Sequence, residues 1–156
     1  MKTILKITIF TIILLNLTFV FASCKKENPV EIPFTEYSLT GTSCQWTNLD
    51  YNESVIIINS NKELEKYINC TNSGSYLEID FSKYTLLLVN GRSLNNITSI
   101  EPIRLIQYSN RRYDIKIVIR VGIAGLAESW TCAILAPKIS NNAKITKKVE
   151  YTYHQP

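Results

Sequence analysis

The sequence predicts an α+β fold that is mainly antiparallel β sheet, curled or doubled into a sandwich, with one short helix. Three observations support this prediction. A β-branched run, SVIIINS, precedes a single segment of helical period, and from residue 79 onward the pattern is that of consecutive strands with short connections. Alternating strand and helix units do not occur in the pattern, which argues against a Rossmann-type fold.

The helix is predicted in SNKELEKYI, residues 60–68. Ser60 and Glu63 have the spacing of a capping box, in which both side chains accept backbone N–H groups. Leu64, Tyr67 and Ile68 recur at i, i+3 and i+4, as on one apolar face of a helix. The turn residues of NCTNSGS end the segment.

Two kinds of pattern predict the strands. The run from Leu86 to Val89 is apolar without a break, as in a central strand covered on both faces. YDIKIVIRV, residues 113–121, alternates apolar and polar side chains, as in a strand with one solvated face. ITSI and IRLIQY are predicted to form one strand bent at Pro102, because proline cannot donate to the ladder.

The first 23 residues have the pattern of a secretory signal peptide. Lys2 and Lys6 precede an apolar stretch that ends in small residues. The final FASC resembles the lipobox of bacterial lipoproteins, so Cys24 is predicted to be lipidated and to become the first residue of the mature chain. Two or three acyl chains anchor a protein far more firmly than one. An ordinary cleaved signal with a chance cysteine is the alternative.

The chain divides into three predicted parts. Residues 1–23 are the lipoprotein signal peptide, and residues 24–36, with two prolines and few periodic apolar positions, are a flexible tether. Residues 37–156 form a single β-rich domain. The chain has 17 Lys and Arg residues, two of them in the signal peptide, so the mature chain keeps 15 beside 13 acidic residues, a net charge of +2. That charge is too small to predict a nucleic-acid partner, and the one local basic cluster, KITKK (144–148), is predicted to be a solvated strand face.

Three cysteines remain after Cys24. An exported compartment permits disulfides, and three thiols allow one bridge with three possible pairings. We favour Cys44–Cys70, with Cys44 in a polar loop and Cys70 at a helix end, and interpret Cys132 as a small buried hydrophobic residue. A Cys70–Cys132 bridge is the alternative that would overturn this pairing.

The pattern contains no assembled catalytic or metal-binding motif, so we predict a protein that is not an enzyme and has no cofactor or metal. Its single histidine, His154, lies two residues from the C-terminus, and a catalytic triad needs a histidine held beside the nucleophile. Glu78 and Asp80 have the i, i+2 spacing of a carboxylate pair. Because they flank a predicted turn, we interpret them as solvated charges or a turn cap.

The remaining signals are aromatic and apolar. Nine tyrosines and two tryptophans are many for this length, and we interpret most of them as packing partners between strands. GIAGLA, residues 122–127, is an apolar loop that is either tucked in or a docking surface. The residues predicted to contact a partner are Arg92, Arg111, Arg112, Tyr113, Ile123 and Leu126.

Three segments, IIINSNKELEKYI, IDFSKYTLLLVNG and ESWTCAILAPKIS, resemble the C-terminal domain of the protease complex subunit PrcB family and related small bacterial lipoproteins. The resemblance covers roughly residues 54–153. GRSLNN stands where that family often has a glycine-rich turn. The resemblance implies a non-catalytic lipoprotein of a Gram-negative bacterium that binds and stabilises a partner, such as an exported protease.

Two functions are therefore expected. The first is a protein-binding module of the cell envelope, held by its lipid anchor at the outer membrane. The second is a lipoprotein that binds a small molecule or glycan through exposed aromatic side chains. Whether Trp46, Trp130 and the tyrosines are buried distinguishes the two.

Overall fold

In a computed structural model of the chain, residues 28–52, 55–71 and 74–153 are described, and they form ten strands and one helix. The elements in chain order are β1 (Val30–Ile32), β2 (Thr35–Glu36), β3 (Cys44–Trp46), β4 (Val55–Ile58), α1 (Asn61–Leu64), β5 (Ile68–Cys70), β6 (Tyr84–Ser93), β7 (Ile97–Ser109), β8 (Arg112–Val121), β9 (Glu128–Pro137) and β10 (Lys144–Tyr153).

The strands form two four-stranded sheets and a two-stranded ribbon. The first sheet has the order β1-β7-β8-β10, the second has the order β2-β9-β6-β4, and the ribbon pairs β3 with β5. The predicted mainly antiparallel sheet structure is confirmed. The exception is β10, which runs parallel to β8. The parallel pair arises because the chain leaves the first sheet after β8, forms β9 in the second, and then returns.

Strand β6 is buried on both faces. Leu87 and Val89 point toward the first sheet and join the buried side chains of β8 there. Leu86 and Leu88 point to the opposite side, where the ribbon and Leu64 of α1 cover them. The second sheet is therefore the middle layer of the domain, and the apolar run of β6 is a central strand as its sequence predicts.

The helix is shorter than predicted. Ser60 is its N-cap and accepts the N–H of Glu63 at 3.3 Å, and the Glu63 carboxylate accepts the N–H of Asn59 at 2.7 Å. The helix ends at Leu64, a turn follows, and Ile68 begins β5. The capping signal is thus real, but the second half of the predicted apolar face belongs to the ribbon instead. Tertiary pairing with β3 outweighs a helical periodicity of only a few residues.

The disulfide joins the two strands of the ribbon. Cys44 and Cys70 are directly opposite each other and bonded, as predicted, while Cys132 is free and buried. Both bonded cysteines lie in strands, not in a loop and at a helix end as predicted. Each of these strands has three residues, which is too short for a period-2 pattern to appear in the sequence.

Part of the predicted tether belongs to the folded domain. Strand β1 pairs with β7, and strand β2 pairs with β9, so the folded chain begins before residue 37. Pro29 and Pro33 flank β1 and interrupt any periodicity, which is why this segment has the composition of a linker. Cys24 lies outside the described residues.

Strand β7 confirms the prediction of one strand across Pro102. It runs over 13 residues, and its pairing with β8 shifts in register between Pro102 and Arg104. A bulge at this position accommodates a residue that has no N–H to donate.

The ribbon disulfide should contribute strongly to stability. It closes a loop with a sequence separation of 26. Replacing Cys44 and Cys70 together by alanine is expected to lower the free energy of unfolding by about 3 kcal/mol, because the unfolded chain gains entropy. Urea denaturation under oxidising conditions measures the change. Cys132→Ala is the control, with an expected loss of about 1 kcal/mol. A double variant as stable as the parent, or a larger loss in the control, would contradict the assignment.

Candidate interaction site

The residues predicted to contact a partner lie at two opposite ends of the domain. We call the turn between β7 and β8, together with the strand residue on each side of it (109–112), the hairpin end. We call the loops 94–96 and 122–127 the loop end. Strand β8 connects the two, and its ten residues span about 33 Å. The hairpin end holds Arg111 and Arg112, with Tyr113 next in the chain, and the loop end holds Ile123 and Leu126, with Arg92 beside it.

Main-chain hydrogen bonds hold the two loops of the loop end together. The N–H of Asn96 donates to the carbonyl of Ala124 at 3.1 Å, and the N–H of Gly122 donates to the carbonyl of Asn96 at 2.9 Å. The Glu128 carboxylate accepts the N–H of Ile97 at 2.9 Å. A Cβ at residue 122 would approach the Asn96 side chain to 2.5 Å, so the close approach of the loops requires glycine.

This end exposes several large apolar side chains. Ile123 is 93% exposed, Leu94 is 84% exposed and Leu126 is 65% exposed. Tyr151 and Tyr153, at the end of β10, are exposed beside them. We call these five residues the loop-end patch. The exposure of Ile123 and Leu126 shows that the loop GIAGLA is exposed and not tucked in. Exposed apolar side chains grouped on one surface are typical of interaction sites.

A shallow depression of about 250 Å³ adjoins the loop-end patch on the side of Leu94, Tyr151 and Tyr153. Val121 and Leu94 line it together with the rings of Tyr151 and Tyr153. The Tyr151 hydroxyl donates to the carbonyl of Arg92 at 2.9 Å, which fixes the ring against the end of β6. The depression is wide enough to accept an apolar side chain from another molecule.

Tyr113 is not part of an exposed surface, contrary to the prediction. It is 6% exposed and begins the inward-facing row of β8. Its hydroxyl accepts a hydrogen bond from Gln107 at 3.0 Å. Burial raises the pKa of the phenol. The charged neighbours in sequence suggested exposure, but the alternation of β8 puts successive side chains on opposite faces.

Both tryptophans belong to the core. Trp130 is 3% exposed, and its indole covers Gly91, where a Cβ would approach the ring to 2.7 Å. Trp46 is half-buried beside the buried Tyr37, with ring centroids 6.1 Å apart. Trp130 therefore offers no open face for stacking on a ligand, whereas Trp46 is only partly covered.

Lys147 corrects the prediction that KITKK is a solvated strand face. It lies between Ile145 and Val149 in the inward-facing row of β10. Its Nζ donates to the carbonyl of Asn90 at 2.6 Å and lies 5.4 Å from the centroid of the Trp130 ring. Burial lowers the pKa of this ammonium. An inward-pointing charge on an edge strand also discourages pairing with a further strand.

The hairpin end is basic. Arg111 and Arg112 are exposed, and the Arg112 guanidinium lies 4.9 Å above the ring of Tyr108. Asp114, the nearby acid on β8, is bonded to Lys148 at 2.6 Å. Burial disfavours ionisation of Asp114, but hydrogen bonds from Lys148 and Tyr108 lower its pKa overall. The Asp114 carboxylate thus forms its ion pair with Lys148 and not with Arg111 or Arg112.

The carboxylates suggested by sequence spacing do not form an acid–base pair. Asp80 accepts the Ser82 hydroxyl at 2.5 Å and the Ser82 N–H at 3.1 Å, and it lies 3.0 Å from the Lys83 ammonium. These contacts, the Ser82 hydroxyl first, lower the pKa of Asp80 to about 2. Asp80 is a turn cap that stays ionised at neutral pH, which is one of the two roles that the sequence predicts for it.

Cys132 lines a depression of about 430 Å³ together with Glu36, Tyr37 and Trp46. The thiol is not activated there. Burial first, and the charge of Glu36 second, raise its pKa to about 12. A cysteine nucleophile needs the opposite shift, because the thiolate is the reactive form.

Among residues 28–52, 55–71 and 74–153, no three His, Cys, Asp or Glu side chains are grouped to hold a metal ion. The same ranges contain no helix long and apolar enough to cross a membrane.

In comparisons with known proteins, no family model matches the chain, and no curated protein or solved structure matches it significantly. The resemblance to the PrcB C-terminal family stays a prediction, as do the lipid anchor and the absence of catalysis.

The raised pKa of Cys132 predicts a sheltered thiol. At pH 8 the folded protein should react with iodoacetamide at least about 100-fold more slowly than the urea-unfolded protein, because its thiolate is scarce and buried. The raised pKa also makes the stability of the fold depend on pH. Between pH 9 and about 12 the unfolded chain releases the Cys132 proton and the folded protein keeps it, so the stability that is fully present below pH 9 is lost as the pH rises through this range. Mass spectrometry of the alkylated Cys132 peptide gives the rates. Equal rates in the two states would refute the buried thiol.

Proposed function

We propose that this protein is a lipid-anchored, non-catalytic module of the bacterial cell envelope that binds a protein partner through the loop-end patch. The observation that carries the proposal is the exposure of Leu94, Ile123 and Leu126 on one end of an otherwise well-packed domain. The resemblance to the PrcB family suggests the finer form, in which the partner is an exported protease or surface complex that the module stabilises at the outer membrane.

The anchor part of the proposal is supported by the sequence. An apolar stretch that follows two lysines and ends at FASC is typical of a bacterial lipoprotein signal. Lipidation of Cys24 with two or three acyl chains would hold the domain at a bilayer almost permanently. The Cys44–Cys70 disulfide agrees with an exported protein, because such bonds persist in oxidising compartments.

The partner-binding part is supported by the composition and rigidity of the loop end. Leucine, valine and tyrosine side chains line a depression, and the Arg92 side chain is exposed at its margin. Tyrosine and arginine are enriched at protein interfaces. The hydrogen bonds between the two loops keep the patch in place, so binding would require little ordering of the main chain. The partner expected is a protein surface with an apolar centre and a carboxylate that can reach Arg92.

A small-molecule or glycan ligand is the second candidate. The observation in its favour is the depression that Tyr151 and Tyr153 line. The burial of Trp130 and Tyr113 weighs against it, since their ring faces are unavailable for stacking. A glycan array probed with the folded domain separates the two candidates, because only the second expects binding there.

The anchor predicts how the protein fractionates. Cys24→Ser should move the protein from the membrane fraction to the aqueous fraction of a cell lysate, because no acyl chains would be attached. Immunoblotting of the two fractions measures the change, and the mass of the mature N-terminus reports the lipid. Membrane retention of Cys24→Ser, or an unmodified Cys24 in the parent, would refute the anchor.

The loop-end patch predicts which side chains bind the partner. Ile123→Ser with Leu126→Ser should reduce recovery of the partner from a native membrane extract at least about tenfold, since each side chain loses roughly 1–2 kcal/mol of apolar burial. Quantitative mass spectrometry after cross-linking and capture of the lipidated protein measures recovery. Leu77→Ser is the matched control, because Leu77 is 70% exposed outside the patch. Equal losses in both variants, or no partner with the parent protein, would contradict the proposal.

A further inference from the structure

We propose that the hairpin end is a lipid-facing surface on which Arg111 and Arg112 contact the anionic phospholipid headgroups of the membrane that holds the anchor. The inference rests on the proposed anchor for its geometry. It adds a second binding surface and an orientation of the domain to the proposed function.

The N-terminal chain approaches the fold at the hairpin end. Strand β1 pairs Val30 with Gln107 and runs antiparallel to β7, so residues 28 and 29 lie beside the turn. Asn28 lines a depression of about 290 Å³ together with Ser109 and Asn110. Asn28 lies four positions after Cys24 in the sequence. A fully extended chain of four residues reaches at most about 14 Å. A lipid on Cys24 would therefore keep the hairpin end close to the bilayer.

The positive charge of the hairpin end suits contact with anionic lipid headgroups. Arg111, Arg112 and Lys144 are all exposed there, and the N–H of Lys144 donates to the carbonyl of Arg111 at 2.7 Å, which holds the two segments together. Glu31 of β1 and Asp114 of β8 are the carboxylates nearby. Asp114 is bonded to Lys148 and attracts Arg112 less strongly, and the Arg112 guanidinium also lies over the Tyr108 ring. Both arginine side chains are nevertheless exposed and can contact a phosphate.

Basic residues also follow Cys24 in the sequence. Lys25 and Lys26 follow Cys24 directly, with one acid, Glu27, before Asn28. Basic residues next to a lipid anchor strengthen binding to anionic membranes, by about fivefold for each side chain near the surface.

The orientation has a consequence for partner binding. With the hairpin end on the bilayer, strand β8 would hold the loop-end patch about 30 Å from the headgroups. The apolar residues Ile123 and Leu126 would then face outward, toward a protein, and not the lipid.

Energy transfer in vesicles tests the orientation. A fluorescent label is attached to the lipidated protein at Asn110→Cys or at Gly125→Cys. A Cβ at residue 125 would have no other atom within 4 Å, so the second substitution fits without a clash. The buried Cys132 and the bonded Cys44 and Cys70 leave the introduced thiol as the reactive one. With an acceptor on the lipid headgroups of phosphatidylglycerol-containing vesicles, the label at 110 should show strong transfer and the label at 125 weak transfer. Equal transfer at the two sites would overturn the proposal.

A second measurement does not depend on the anchor. In Cys24→Ser, binding to vesicles of phosphatidylglycerol and phosphatidylcholine is measured by flotation at low salt. Arg111→Gln with Arg112→Gln should weaken the partition coefficient about 25-fold, and added salt should weaken the parent likewise. The charge-matched control is Arg104→Gln with Arg120→Gln, two exposed arginines away from the hairpin end. Equal losses in the two double variants would overturn the proposal. Unequal losses together with an unmodified Cys24 would support the lipid contact and refute the proposed anchor instead.

Discussion

The burial of strand β6 on both faces is the constraint on which the rest of the domain depends. A strand with Leu86, Leu87, Leu88 and Val89 in succession cannot lie on a surface, because either face would leave apolar side chains in water. One face requires the first sheet, and the other requires a further layer. The ribbon, α1 and the chain around Ile79 supply that layer. The disulfide closes the ribbon and so keeps this thin outer layer, which has little hydrogen-bonded sheet of its own, in place over β6.

The edge strands show how the sandwich limits further pairing. Strand β10 ends the first sheet, and Lys147 occupies a position in its inward-facing row that an apolar residue would otherwise fill. The ammonium remains tolerable there because the Asn90 carbonyl and the Trp130 ring both attract it. At the other side of the same sheet, β1 is only three residues long. Short or charged edges reduce association through strand addition.

The two ends differ in chemistry in a way that fits a protein held at a membrane. The hairpin end is basic and adjoins the chain that leads to Cys24. The loop end is apolar and lies one strand length away, with its loops fastened by main-chain hydrogen bonds around Asn96. One end is thus suited to phosphate-bearing lipid and the other to an apolar protein surface. The residues that the sequence grouped as one contact set, such as Arg111 and Ile123, would then serve two different purposes.

The sequence by itself determined the strand pattern from Leu86 onward and the N-cap at Ser60, because each depends on local spacing or on residue chemistry. It favoured the Cys44–Cys70 pairing among three and left open whether GIAGLA is exposed, and the structure decided both. Only the tertiary structure decided that β10 runs parallel to β8, that residues 30–36 join the sheets, and that the predicted helix stops at Leu64. Those features depend on which distant strand is available as a partner, and a three-residue strand carries no periodic signal of its own. The same holds for the site: charge and hydropathy marked Arg92, Ile123 and Leu126, whereas the grouping of Leu94, Tyr151 and Tyr153 beside Arg92 follows from the register of β6, β8 and β10. That register is set by packing on both faces of β6, which no local stretch of sequence encodes.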